Sequence, residues 1–183
     1  MENQCRSNGA TRVKASSAKA MSEKELYDPI AAWLQSYLSG KYPRAQVRCL
    51  VSPDISLRRV IEDEGWAAHF PECDAYDMQI DVLGCILGPG HVEIVFVEVK
   101  LAPLTLRDLG QLLGYCLVAR PLRGILMSPK GPNTYLSKLL RVYSRQDVLS
   151  YRAGTDTRQI AVCRWDENAR CVDYSSVIPT GGL

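Results

Sequence analysis

Residues 78–101 read MQIDVLGCILGPGHVEIVFVEVKL. Two apolar, β-rich runs flank Gly88, Pro89 and Gly90, which predicts a β-hairpin. In the second run both alternate sets of positions are apolar: Val92, Ile94 and Phe96 lie on one face, and Val95, Val97 and Val99 on the other. A strand apolar on both faces belongs in the middle of a sheet covered on both sides. Against that background Asp81, Glu98 and Lys100 stand out, because an ionised group among aliphatic neighbours must be paired, hydrogen-bonded or bound to a metal. A turn centred between Pro89 and Gly90 puts Gly88 opposite His91 and, counting outward, Asp81 opposite Glu98. Facing residues have Cβ atoms about 5 Å apart, and two carboxylates that close repel unless a divalent cation lies between them. Lys100 joins the same face by the period of two. Pro-Gly favours a type II turn, which is not the preferred two-residue closure, and a one-residue bulge would separate the pair.

Outward from the hairpin, the chain alternates strand and helix. Towards the N-terminus, Ser22 stands three residues before Glu25 in a capping-box spacing, ahead of Leu26, Ile30, Trp33, Leu34 and Tyr37. That predicts a helix, weakened or bent at its start by Pro29 and ending at Gly40. Residues 45–51 read as a strand and 55–64 as a short helix. After the hairpin, Thr105 and Asp108 open a helix with Leu106, Leu109, Leu112, Leu113 and Cys116 on one side, ending before Pro121. RGILMS (123–128) reads as a buried strand. A helix follows Gly131 and Pro132 with Leu136, Leu139, Leu140 and Tyr143 inward. Residues from about Gln159 to Tyr174 read as a second hairpin, turning at Asp166, Glu167 and Asn168 and added to the edge of the main sheet. The pattern predicts an α/β fold, a central mixed β-sheet flanked by helices.

Composition narrows the class. The 183 residues, 46% apolar and 23% charged, suit one domain over 21–183 behind a polar tail at 1–20, read as flexible. The formal net charge is only +2, so any hold on nucleic acid must come from local clusters of Lys and Arg. Seven scattered cysteines without a CxxC pair argue against a disulfide framework and a zinc knuckle, and point to a reduced, cytoplasmic setting. His69, Cys73 and Asp74 lack a second ligand pair at usable spacing. No stretch reads as a membrane span or secretory signal.

An acid at the start of a hairpin, Glu-x-Lys at the end of its second strand, and a helix after it resemble the PD-(D/E)xK, or restriction-endonuclease-like, nuclease superfamily. Here the motif is Ile80-Asp81 with Glu98-Val99-Lys100, isoleucine standing where the family name has proline. Gln111-Leu-Leu-Gly-Tyr115 resembles the Gln-x-x-x-Tyr motif of the branch that includes recombination-helicase nuclease domains. The likeness covers about residues 22–130, and the C-terminal third matches nothing in it. It implies a restriction-endonuclease-like core and a metal-dependent nuclease acting on DNA, with Asp81, Glu98 and Lys100 as catalytic centre. Asp81, Glu98 and the Val99 carbonyl would hold Mg²⁺ or Mn²⁺. An acid on the first helix, Glu23 first or Glu25 as the alternative, would complete the metal shell, and Gln111 and Tyr115 would position substrate.

For electrostatic grip, Lys138, Arg141 and Arg145 share a helix face, and Arg120, Arg123 and Lys130 flank the preceding strand, although a charged outward face is usually just solvated. Restriction, repair and junction-resolving nucleases all fit, and a resolvase would need a homodimer. The alternative is a catalytically silent nucleic-acid-binding or structural domain of the same fold, in which Lys100 simply neutralises Asp81 and Glu98.

Overall fold

A computed structural model describes residues 22–183. The tail expected at residues 1–20, with Cys5, lies outside them. Helix α1 spans Lys24–Lys41, one residue past the expected stop, because Gly40 keeps helical hydrogen bonding until the Tyr42 N–H closes on the Leu38 carbonyl. Only half of the anticipated capping box forms: Glu25 accepts from the Ser22 amide at 2.9 Å, but Glu23, not Ser22, occupies the cap. Strand β1 (Gln46–Val51) and helix α2 (Leu57–Asp63, capped by Ser56) follow.

The hairpin is β2 (Val82–Gly88) and β3 (His91–Val99). Gly88 faces His91 and Val82 faces Val97, so the ladder carries no bulge and its register is the one the turn implies. Gly90, at φ +75°, takes the left-handed position that follows Pro89 in the turn. Helix α3 (Leu106–Ala119) opens on a complete capping box between Thr105 and Asp108. It carries the chain back so that β4 (Arg123–Ser128) pairs parallel with β3.

Beyond β4 the expected single helix is two windings: α4 (Thr134–Ser137), capped by Asn133, and a π-helical segment Lys138–Val142. The wider turn, in which the Tyr143 amide reaches back five residues to the Lys138 carbonyl, breaks the 3.6-residue period. Leu136 and Leu140 are buried as anticipated, but Tyr143 is rotated out and 61% exposed, which corrects its inward assignment. A short strand, β5 (Ser150–Ala153), precedes β6 (Asp156–Asp166) and β7 (Cys171–Ile178). The second hairpin is thus longer than its expected span. Its first strand is interior to the sheet: β6 pairs parallel with β4, while β5 and β7 share its other side.

Among the described residues the result is an α/β fold with a seven-stranded mixed sheet, ordered β1-β2-β3-β4-β6-β5 with β7 also on β6, and four α-helices. Alternation along the strands divides the core in two. Val82, Ile86, Val95, Val97 and Val99 meet Ile30, Trp33 and Leu34 of α1 on one face. Leu83, Cys85, Ile94 and Phe96 meet α2, α3 and Leu136 and Leu140 on the other. Asp81 and Glu98 continue the second set, so their side chains belong to the α3 face. The six described cysteines are unpaired. Among the described residues no helix is long and apolar enough to cross a membrane.

Candidate active site

The site forms where β2 begins and β3 ends. Asp81 sits one residue before β2, and its carbonyl still accepts the Ser52 amide from the end of β1 at 3.1 Å. With its backbone fixed, Asp81 sends Oδ2 across to the Val99 amide at 2.8 Å. Its carboxylate therefore continues the antiparallel ladder past the last backbone pair, and that holds it beside Glu98.

Glu98 is 3% exposed. Its Oε1 accepts from Lys100 Nζ at 2.8 Å and from Gln111 Nε2 at 3.0 Å. Gln111 also donates to the Tyr115 hydroxyl at 3.2 Å. Gln111 thus reaches the end of β3 and Tyr115, four residues on, meets Gln111; the helix is aligned for this by the Thr105 cap and by Leu109, Leu112 and Cys116 in the core. Asp81, Glu98, Gln111 and Tyr115 line one cavity of about 320 Å³, walled on the other side by Pro53, Met78 and Gln79.

Burial and mutual repulsion shape the charges. Burial, followed by the Asp81 charge, pushes Glu98 up to about 7 against the downward pull of Lys100. Burial also raises Asp81, outweighing the Val99 amide, Lys100 and Tyr27, which favour its ionised form. Burial alone would lower Lys100, but its hydrogen bond to Glu98 and the charges of Glu98, Asp81 and Glu23 win, and the ammonium is held more firmly than usual.

The structure separates the two acids proposed on the first helix. Glu23 turns towards the site, accepting the Leu101 amide at 3.2 Å and acting electrostatically on Asp81 and Glu98. Glu25 turns back to Ser22. Sequence reading passed over Tyr27, 6% exposed on α1, whose hydroxyl lies beside the Asp81 carboxylate. The signal was present, since Tyr27 is one helical turn beyond Glu23, but a tyrosine among Leu26 and Ile30 reads as core.

Among the described residues no group of three or more His, Cys, Asp or Glu side chains is gathered closely enough to hold an ion by itself. The donor set nevertheless suits a hard divalent cation. The hydrogen bonds from Lys100 and Gln111 both fall on Oε1 of Glu98, so Oε2 is not engaged by either, and Mg²⁺ commonly binds through one or two carboxylates while keeping several waters.

The expected basic patch is not one surface. Arg123 begins β4 beside Val95, whereas Lys130 follows the opposite end of that strand. Arg141 donates to the Ser176 carbonyl, Arg145 is paired with Asp147, and Lys138 lies over the Tyr143 ring. Arg120 caps the C-terminus of α3, ahead of β4, whereas Lys130 comes after it. Comparison of the chain with models of known protein families, with curated protein sequences and with solved structures gave no significant match.

Proposed function

We propose that this chain is a metal-dependent nuclease with a restriction-endonuclease-like core, hydrolysing phosphodiester bonds in DNA. The observation that carries the reading is the convergence, around one cavity, of the buried Glu98 and half-buried Asp81 carboxylates and the Gln111–Tyr115 pair, with the Lys100 ammonium bound to Glu98. A purely structural arrangement has little reason to bring like charges together inside a core, where each costs several kcal/mol.

Asp81, Glu98 and the Val99 carbonyl would hold Mg²⁺ or Mn²⁺. When bound, such an ion supplies Lewis acidity and a more acidic water. Lys100, fixed on Glu98, points its remaining N–H donors to the charge that builds on a phosphate under attack, and orients the attacking water. Gln111 holds Glu98 in one rotamer. Because the Tyr115 hydroxyl accepts from Gln111, its own proton is free to donate to a phosphate oxygen or a base edge in the cavity.

The test is incubation of the purified protein with single-stranded, duplex, flapped and four-way DNA, with Mg²⁺ or Mn²⁺ and with chelator. Cleavage should require the ion and fall by about a hundredfold or more in Lys100→Ala; equal cleavage by the variant removes the assigned centre. The close Lys100–Glu98 pair at 2.8 Å also suits a silent domain in which the lysine only neutralises the acids. Calorimetric titration separates the two readings, since metal binding that disappears in Asp81→Ala belongs to the nuclease, and no heat with either ion belongs to the silent domain.

A further inference from the structure

A second cavity, of about 260 Å³, lies on the same face of β3 as the first. Its floor is Val92 and Ile94, its walls are His69, Phe70 and Tyr76 from the loop before β2, and its rim carries Arg120 and Arg158. The two cavities share the same flanks. The loop supplies Tyr76 to this one and Met78 and Gln79 to the other; α3 supplies Ala119 here and Gln111 and Tyr115 there. Ile94 and Glu98, their respective floors, are four residues apart on one strand, about 13 Å at the usual rise.

We infer that this cavity is a second nucleotide subsite, occupied by the same single strand whose phosphodiester lies at Glu98, with Arg120 contacting its phosphate. The inference rests on the nuclease reading of the site above. Aromatic walls over an apolar floor suit the face of a base, and a guanidinium at the rim suits the phosphate beside it. A duplex presents its bases stacked and paired and flipping one out costs energy, so an unpaired strand is the substrate that fills the pocket most readily.

Arg120 is available for this contact. Its guanidinium is 3.8 Å from Glu72, with both side chains more than half exposed, so the partner is exchangeable. Its backbone holds a left-handed conformation at φ +50° that glycine would adopt more easily. Arg158 props that conformation, donating to the Arg120 carbonyl at 2.8 Å while its other nitrogen lies 3.4 Å from Glu93. Arg158 is thus a positioning residue, and the contact belongs to Arg120. At the stacked rise of about 3.4 Å, 13 Å corresponds to about four nucleotides.

The test is Arg120→Gly, which keeps the carbonyl that Arg158 grips and relieves the left-handed backbone, so its melting temperature should equal or exceed that of the wild type. With Mn²⁺ and unstructured single strands from dinucleotide to dodecanucleotide, the variant should raise KM roughly fivefold for strands longer than about four nucleotides, leave kcat unchanged, and not affect the shortest. Unchanged KM at every length overturns the subsite, as does equal cleavage of continuous duplex and single strand. If a mononucleotide binds the wild type and not Arg120→Gly while strand length has no effect, the pocket serves free nucleotide and the shared track is wrong. Absence of cleavage of any strand by the wild type refutes the nuclease reading itself, and this inference with it.

Discussion

Glu98 links the site to stability. Its folded-state value near 7 exceeds its ordinary 4.5, so between those values the folded protein holds a proton that the unfolded chain has released. Folding is therefore favoured below about 4.5 and loses that advantage as pH rises through 7; the upward shift of Asp81 has the same sign. In the presence of chelator, denaturant midpoints should fall between pH 5 and pH 8, by on the order of 3 kcal/mol in stability if Glu98 acts alone. Glu98→Gln should flatten the profile, and a wild-type curve that rises across this window sinks the assignment. Divalent cation should reverse the trend, because it binds the deprotonated pair. The pairing behind this effect was legible from residue types alone, since a period of two and one turn place Asp81 against Glu98. Tyr27 was not, because a buried phenol and a core aromatic look alike until α1 is seen to begin beside Asp81.

At the scale of elements, α3 aligns the site, and its sequence shows both what forms it and what weakens it. Thr105 closes the capping box, and Thr105→Ala should cost about 1 kcal/mol. Gly110 and Gly114 lie inside the helix, and a Cβ added at either meets nothing within 4 Å. Each alanine substitution should stabilise the protein by about 1 kcal/mol, through helix propensity alone. Thermal unfolding of both single variants checks this, and destabilisation would show packing that the backbone geometry does not contain. This helix and the central hairpin were readable because apolar spacing, caps and turn residues all agree locally. The π-helical segment was not, because Leu136, Leu139 and Leu140 fit an ordinary helix and only Tyr143 records the change in winding. The four-residue β5 has too few residues for alternation to register, and it exists because β6 offers it an edge.

Over the whole molecule, what escaped the sequence is non-local. Nothing within residues 156–178 announces that β6 pairs parallel with β4 and carries β5 and β7 on its far side; that choice is made by a sheet whose central strands are apolar on both faces. The distribution of charge escaped for the same reason, since basic residues adjacent along the chain are dispersed by folding to opposite strand ends or tied to Ser176 and Asp147. The consequence is measurable. With a net charge of +2 and the candidate basic residues dispersed among the described ones, the described fold can neutralise few phosphates directly, and its cations positioned along the proposed strand are Lys100 and Arg120. Each phosphate neutralised on a single strand contributes about −0.7 to the slope of log K against log salt. Two such contacts predict a slope of about −1.4, shallow for a nucleic-acid-binding protein, so affinity should survive a rise in salt that would release a strongly basic binder. Titration of a labelled single strand at several salt concentrations and fixed divalent cation measures this slope. A value of about −4 or steeper would mean that more cations meet the strand than Lys100 and Arg120, and would overturn the two-contact path.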